Sequence, residues 1–437
     1  METKEANVCL KRWVFHVDVN SAFLSWEAAY RLHHLGEWRD LRRMRAAVAG
    51  DAALRRGIIL AKSIPAGEYG VKTGDSIPEA RQKCPHLLLV PPNYGLYEKC
   101  SRAFLEILRE YSPRVEQYSI DEAYVDMTEV RGRWEDPLIP AREMGARIRR
   151  ELGFTVNVGV AENKLLAKMA GDFQKPDRVH TLFREEIERK LWPLPVDKLF
   201  FVGPAAASKL KKLGIGTVGE LAASDPGVLR LHLKKQGEVI WQFANGWDDS
   251  PVLAEAPPNK GYGNSTTIPF DVTRLEEAQK VLLGLAETLG ARLRTDGMRV
   301  GVISVSLCTC GFIRHSRQRI LESPTDITWE VYRRAEELFR ALWDGTPVRQ
   351  LGIHTGKAQR AADTFRQLRL FDPTDYEKLG KAERAVDEIR RRYGMDAVKR
   401  AVFLRGPIDH MSGGISREKR SADYDSGLIK TAEGGGR

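Results

Sequence analysis

Residues 115–127 read VEQYSIDEAYVDM. Two runs rich in apolar and β-branched residues flank a polar centre. The stretch therefore reads as a hairpin of two strands with Asp121 and Glu122 near its turn. Alternation in EAYVDM puts Ala123, Val125 and Met127 on one face and Tyr124 and Asp126 on the other. A strand of the same character, WVFHVDV at 13–19, carries Asp18 near its end and runs into the Asn20–Ser21 break. Carboxylates beside buried strands are costly unless paired, solvated or bound to metal. Three brought together would repel one another, and divalent cations would remove that cost. Hard oxygen ligands suit Mg²⁺, and two such ions can clamp both oxygens of an in-line phosphoryl displacement. Spacing alone does not bring Asp18 to Asp121, and any one of the three also reads as a strand-end carboxylate in a turn.

Around this centre the chain divides into regions. A helix is expected from Ala22 to His34 and a strand at 58–62, followed by a loop punctuated by Pro65, Gly67, Gly70 and Gly74. PPNY at 91–94 marks a boundary before an amphipathic helix from Leu96 to Glu110. Another strand is expected at 154–160, and a helix from Asn163 to Phe173 that ends at Lys175–Pro176. From about 180 to 250 the chain is helical with short loops, and VLAEAPPNKGYG at 252–263 has the composition of a domain joint. Residues 261–357 follow a strand–helix–strand–strand–helix–strand pattern, at about 262–268, 274–295, 299–311, 314–321, 327–343 and 347–354. That is the split-βαβ arrangement, with both helices on one sheet face. A helical block at 381–402 and a polar, Gly/Ser-rich end expected to be disordered complete the chain.

At 437 residues the chain is long enough for about three domains. Apolar residues make up 42% and charged residues 29%, which excludes collagen-like, coiled-coil and wholly disordered chains. The start, METKEANVCLKRWVF, has no apolar core of a secretory signal, and no run is long and apolar enough for a membrane helix. The five cysteines are too few and scattered for a disulfide framework, so a reducing, cytoplasmic location is expected. Cys308 and Cys310 read as two same-face strand residues rather than half a zinc site. The net charge of +10 is compatible with a polyanionic partner such as nucleic acid.

HVDVNSAFLSWE (16–27) resembles the first motif of Y-family DNA polymerases, the lesion-bypass class that includes bacterial DNA polymerase IV. YSIDEAYVDM (118–127) matches that family's second carboxylate motif, and NVGVAENKLLAKMAGDFQKPD (157–177) the segment that follows it. Order and spacing agree over about 360 residues. The resemblance implies an α+β multidomain, right-hand polymerase. Its palm would be 1–20 plus 94–180, its fingers 21–93 and its helix-hairpin-helix thumb 181–250. A linker at 251–258 would lead to the split-βαβ little finger at 259–357, and 358–437 would be a tail.

On these positions the resemblance makes Asp18, Asp121 and Glu122, with the Val19 carbonyl, the ligands of two Mg²⁺ ions, with Mn²⁺ a substitute. The backbone amides of Ser21, Ala22 and Phe23, opening a helix, would cradle phosphate. Lys175 would contact the triphosphate of a dNTP. Phe23 would be the steric gate, a flat ring that rejects a ribose 2′-hydroxyl by repulsion. Asn163, Lys164 and Lys168 either touch primer or solvate a helix face. FVGPAAASKLKKLGI (201–215) resembles a helix-hairpin-helix, with Gly203 in its turn and Lys209, Lys211 and Lys212 beside the DNA phosphates. Arg292, Arg294, Arg299, Arg314, Arg317 and Arg319 cluster near little-finger strands, where some would meet primer–template DNA. One departure stands out. The family's fingers carry a Tyr and an Arg, three residues apart, on the triphosphate; here those positions are Ile64 and Gly67, with Lys62 or Lys72 available to compensate.

Residues 367–371, QLRLF, resemble the bacterial sliding-clamp pentapeptide. Leu368, Leu370 and Phe371 would fill an apolar groove and Gln367 would fix its end. The expected function is low-fidelity, template-directed DNA synthesis past damaged bases, by a monomer with no membrane partner. Two other classes compete: a catalytically weak or inactive DNA and clamp adaptor, and a palm-fold nucleotidyl cyclase. The three retained carboxylates oppose the first. The thumb, the little finger and the pentapeptide oppose the second.

Overall fold

The computed structural model describes residues 12–50, 57–366, 374–404 and 407–413. Strand β1 (Val14–Val19) is buried along its whole length and leads into helix α1 (Ala22–His33). A small sheet follows, made of β2 (Ala46–Ala49), β3 (Ile59–Lys62) and β4 (Leu88–Val90), with α2 (Ile64–Glu68) and α3 (Ile77–Lys83) in its connection. Its order is β3-β2-β4, with β2 antiparallel to β3 and parallel to β4. Then come α4 (Tyr94–Tyr111), β5 (Val115–Gln117), β6 (Glu122–Asp126), α5 (Leu138–Leu152), β7 (Val156–Ala161), α6 (Lys164–Gly171) and β8 (Val179–Thr181). These strands join β1 in a five-stranded sheet of order β5-β6-β1-β7-β8.

Period-two alternation decides which face each residue serves. Phe15, Val17, Val19, Ala123 and Val125 pack with Trp26, Tyr97, Phe104, Leu108, Met144 and Ile148 of α1, α4 and α5. Val14, Tyr124 and Ala161 pack with Leu165, Leu166 and Met169 of α6. Gly159 lets α6 approach the sheet, because a Cβ there would run into the Ala167 carbonyl. The helices α7 (Ile187–Lys190), α8 (Pro204–Lys212), α9 (Val218–Ala222), α10 (Pro226–Leu233) and α11 (Lys235–Ala244) extend this second core.

The last unit contains β9 (Gly263–Val272), α12 (Leu275–Thr295), β10 (Met298–Thr309), β11 (Arg314–Thr325), α13 (Thr328–Arg340) and β12 (Val348–Arg360). Its antiparallel sheet has the order β11-β10-β12-β9 and shares one core with α12 and α13. This is the expected split-βαβ pattern, with β12 running on to Arg360, past the expected boundary at 357. Cys308 lies buried in β10, whereas Cys310 is exposed just beyond its end. No helix among the described residues is long and apolar enough to cross a membrane.

Three expectations change. The loop expected around Pro65 and Gly67 contains α2, because Pro65 sits in the first turn, where no N–H is needed, and the Ser63 hydroxyl accepts from Ala66 N at 3.1 Å. Strand β2 had no signal in its AAVA sequence; it is a strand because its four residues are buried between β3 and β4. The helix expected at 381–402 is α14 (Tyr376–Tyr393), and the residues after it fold back onto α12. There Arg390 donates to Glu287 at 2.8 Å and Arg400 at 2.6 Å. Arg294 pairs with Glu383 at 2.6 Å and Asp387 at 2.5 Å. Arg294 is therefore withdrawn from the expected DNA-facing arginines: its side chain is buried between α12 and α14.

Candidate active site

The register of β1 on β6 sets Asp18 directly opposite Glu122. Val19 N donates to the Asp121 carbonyl at 3.0 Å, which ties the third carboxylate's backbone to the same point. The Ser119 hydroxyl donates to Asp121 Oδ1 at 2.6 Å and accepts from Glu122 N at 3.1 Å, fixing the hairpin tip. So the fold brings the backbone positions of Asp18, Asp121 and Glu122, apart in sequence, to one end of the sheet, without drawing their carboxyl oxygens into a closed ligand group.

Their electrostatics differ. Asp18 is 7% exposed. Burial pushes its carboxyl above the usual range; Lys175, paired with it, pulls down, and the nearby Glu122 charge pushes further up. Burial acts upward on Glu122 too. There, hydrogen bonds from His16, at 3.4 Å, and Lys168, at 2.7 Å, outweigh it and hold the pKa at about 2. Lys175 also meets Asp172 at 2.9 Å, and its ammonium is held above its ordinary range against the effect of burial. Like charges directly opposite on neighbouring strands destabilise a sheet, and here ammonium groups offset them. All the donors are hard oxygens and one is a carboxyl that burial leaves short of compensation, which is the donor set that fits a divalent cation.

Beside this cluster the chain turns sharply. Ser21 adopts φ 48° and ψ 51°, and its side chain does not cap α1. The first amides of α1 thus have no side-chain partner at the N-cap, next to Asp18, and can serve an anion. Phe23 follows, half-buried, its ring stacked on Tyr97 at 4.5 Å and 9°. Tyr97 is fully buried and its hydroxyl donates to Glu27 at 3.1 Å.

The other expected site residues fall in different places. Lys164 and Lys168 do not project from an open helix face. Lys164 binds Glu116 at 2.7 Å over the Tyr124 ring, and Lys168 binds Glu122. Asn163 caps α6, accepting from Leu166 N at 2.8 Å. Gly203 is the exposed N-cap of α8, and Lys209 is exposed on that helix. Arg314 and Arg317 lie on opposite faces of their sheet. Arg317 pairs in register with the core residue Val305 and donates to the Ala341 carbonyl at 3.2 Å, on the helix side. Arg314 pairs with Cys308 and shares the helix-free face with Ser304, Ser306 and His354. The pentapeptide Gln367, Leu368, Arg369, Leu370, Phe371 lies outside the described residues. Sequence reasoning missed His16, Tyr97 and the inward role of Lys168. His16 stands two residues before Asp18 and so on its face, a signal that period-two alternation carries.

The sequence profile of the impB/mucB/samB family matches residues 17–172, that of its C-terminal domain 259–370, and the family's HHH motif 184–215. The DNA polymerase IV of Clostridium acetobutylicum is 39% identical over 90% of this chain and 99% of its own length. That of Moorella thermoacetica is 40% identical over 82% of this chain and 90% of its own. DNA polymerase IV 1 of Bacillus subtilis is 35% identical over 90% and 94%. A solved chimeric Y-family DNA polymerase, built from Dbh and Dpo4, has the same fold, with TM-score 0.69 and 24% identity over 79% of this chain and 98% of its own. Matches that run from the carboxylate strands through the hairpin motif to the last sheet leave one conclusion: the chain belongs to the impB/mucB/samB family, the Y-family DNA polymerases of the polymerase IV type.

Proposed function

We propose that this chain is a translesion DNA polymerase that adds deoxynucleotides to a primer 3′ end under the direction of a template. The observation that carries the reading is the pairing of Asp18 with Glu122, with Asp121 joined to Val19, beside the uncapped start of α1. Asp18, Asp121 and Glu122, with the Val19 carbonyl, would hold two Mg²⁺ ions, or Mn²⁺ in their place, which when bound activate the α-phosphate and the primer hydroxyl.

The protein's own groups do the rest. The amides of Ser21, Ala22 and Phe23 hold the triphosphate, and the Lys175 ammonium, beside Asp18, neutralises part of its charge. The Phe23 ring, held flat on Tyr97, excludes a 2′-hydroxyl. Lys168 and His16 keep the Glu122 carboxylate ionised and aimed. Primer–template DNA lies across the thumb hairpin at Gly203 and Lys209 and the helix-free face of the little finger at Arg314, through phosphate contacts that do not read sequence. QLRLF at 367–371 recruits a sliding clamp.

Primer extension tests the reading. With dNTPs and Mg²⁺, the native chain is expected to extend an undamaged template, and Asp121→Ala/Glu122→Ala is not. The adaptor reading draws support from one observation, the absence of a hydroxyl or guanidinium at Ile64 and Gly67. Tight DNA binding with no extension by either protein would favour it.

A further inference from the structure

We infer that His410, Asp396 and Asp409 form a metal site of their own, for a transition-metal ion of the Zn²⁺ type, in the unit that folds back onto α12. Among the described residues they are the one group of three metal-ligating side chains whose ligand atoms all lie within 4.8 Å of one another. His410 Nε2 is 3.0 Å from Asp396 Oδ1 and 3.9 Å from Asp409 Oδ1. An ion about 2.1 Å from each ligand sets tetrahedral ligands about 3.4 Å apart. The two separations lie on either side of that value, and the Asp409 side chain, 62% exposed, has room to turn inward. None of these residues belongs to the palm, so the site stands apart from the polymerase reading.

The His410 ring distinguishes this group from a solvated acidic cluster. It is 1% exposed, and its other nitrogen, Nδ1, lies 3.6 Å from Glu287 Oε2 and 3.4 Å from Arg390 Nη2. Without an ion, Nε2–H donates to Asp396 and Nδ1 accepts from Arg390. With one, the proton is on Nδ1 and faces Glu287, and the Nε2 lone pair faces the ion. Each tautomer has partners at both nitrogens, so the exchange leaves no buried polar atom unpaired. A ligating histidine typically gives its second N–H to a carboxylate in this way. Glu287 is the outer partner and not a ligand, since Arg390 and Arg400 already hold it.

The backbone that carries the ligands is fixed beforehand. A methyl built on Gly284 of α12 would stand 2.7 Å from the Asp409 carbonyl, so only glycine admits the chain there. The Thr288 hydroxyl donates to the Ser412 carbonyl at 2.8 Å, and Asn264 Nδ2 to the Gly413 carbonyl at 2.9 Å. On the other side Arg390 donates to the Val398 carbonyl at 2.9 Å, two residues beyond Asp396. One imidazole with carboxylates suits Zn²⁺, whereas Mg²⁺ takes oxygen ligands. Lys399 is the built-in competitor, its ammonium 2.8 Å from the same Asp396 Oδ1. A bound ion ties the residues after α14 to the segment lying on α12.

Titration calorimetry of the full-length, chelator-stripped chain with ZnCl₂ in excess Mg²⁺ tests this. Zinc held in the palm is common to all variants and cancels in the comparison. The native chain is expected to bind one equivalent more than His410→Ala. Asp409→Asn keeps the oxygen that accepts from His410 N at 2.7 Å and removes the charge; it is expected to weaken that equivalent at least about tenfold. Because Asp409 is exposed, this variant carries the test if His410→Ala melts early. Lys399→Met is expected to tighten binding. Zn²⁺ is expected to raise the melting temperature of the native chain more than that of Asp409→Asn. Equal zinc stoichiometry and affinity in the native chain and both ligand variants would overturn the inference, as would weaker binding in Lys399→Met.

Discussion

Asp18 in the palm and Glu287 in the little finger are both buried carboxylates, at 7% and 3% exposure, and the fold treats them in opposite ways. Burial pushes both upward. At Glu287, hydrogen bonds and charges from His410, Arg390 and Arg400 win, and the carboxyl lies below its ordinary range. At Asp18 a single lysine does not win, and the carboxyl lies above it. The first arrangement is complete without any ligand and joins α14 to α12. The second is incomplete, and what completes it comes from outside the protein. A buried carboxylate with its compensation built in is structural, whereas one left short is a candidate cation ligand where further carboxylate residues stand beside it, as Glu122 and Asp121 stand beside Asp18.

The strongest way to break this contrast is Asp18→Asn. It keeps the shape and removes the charge, so extension is expected to fall by at least about a thousandfold, the scale of losing a metal ligand at a phosphoryl-transfer site. Metal-free stability changes little or rises. The native cost sets in as pH climbs above the unfolded value near 3.8 and is complete above the higher folded value. Mg²⁺ is accordingly expected to raise the melting temperature of the native chain at neutral pH and to leave that of Asp18→Asn unmoved, which differential scanning calorimetry reads directly.

Glu287→Gln attacks the other side. It leaves Arg390, whose side chain is 6% exposed, without its anion, so a loss of about 3 kcal/mol is expected, the scale of breaking a buried pair. The pH dependence has the opposite sign to that of Asp18. The native contribution is present above the unfolded value of 4.5 and disappears as pH falls through the lower folded one. Urea titrations from pH 7 to pH 3 are expected to show this loss in the native chain and a flatter profile in the variant. Primer extension at neutral pH, below the melting point, is expected to survive. An equal loss of activity would mean that the α14 unit serves the reaction itself.

Glu27 sharpens the contrast further. It too is buried and pushed upward by burial, against the Tyr97 hydroxyl and Arg31, and it holds a ring rather than a metal. If Tyr97 keeps Phe23 flat, Tyr97→Leu loosens the gate without opening it. Phe23→Ala is expected to lower discrimination against ribonucleotides by about tenfold to a hundredfold. Tyr97→Leu is expected to lower it about fivefold, the scale of one aromatic stack. Competition between rNTPs and dNTPs in primer extension measures both. Unchanged discrimination in Phe23→Ala would reassign the gate.

Legibility in the sequence followed the same division. Asp18, Asp121 and Glu122 were readable because apolar alternation marks strands, and a carboxylate at a strand end breaks the pattern. The last sheet was readable because its helices and strands have different periods. Partners far apart in sequence were not. Glu287 and Arg390 are 103 residues apart, and each reads as an ordinary solvated helix charge until α14 folds back. For the same reason the carboxylate partners of Arg294, one of six arginines of which some were expected to meet DNA, and of Lys168, expected either to touch primer or to solvate a helix face, could not be read. Strand β2 was invisible because alanine carries no strand signal, and its burial comes from its neighbours.

The same reasoning separates two arginines by sheet face alone. Arg314 and Arg317 are three residues apart on β11, so alternation sends them to opposite sides. Arg317 already donates to the Ala341 carbonyl on the helix side. Arg314 pairs with Cys308, its side of the sheet also carries Ser304, Ser306 and His354, and among the described residues no helix covers that side. A duplex backbone lying on that face meets Arg314 and misses Arg317. Replacing Arg314 by Ala is expected to weaken DNA binding uniformly across sequences and to reduce the slope of log Kd against log salt by about one. Replacing Arg317 is expected to leave the slope in place. Fluorescence anisotropy across a salt series resolves a difference of that size. Equal slopes in the two variants would mean that DNA wraps past the sheet edge, and that built-in compensation on the helix side does not remove a cation from binding as it removes a carboxylate from chemistry.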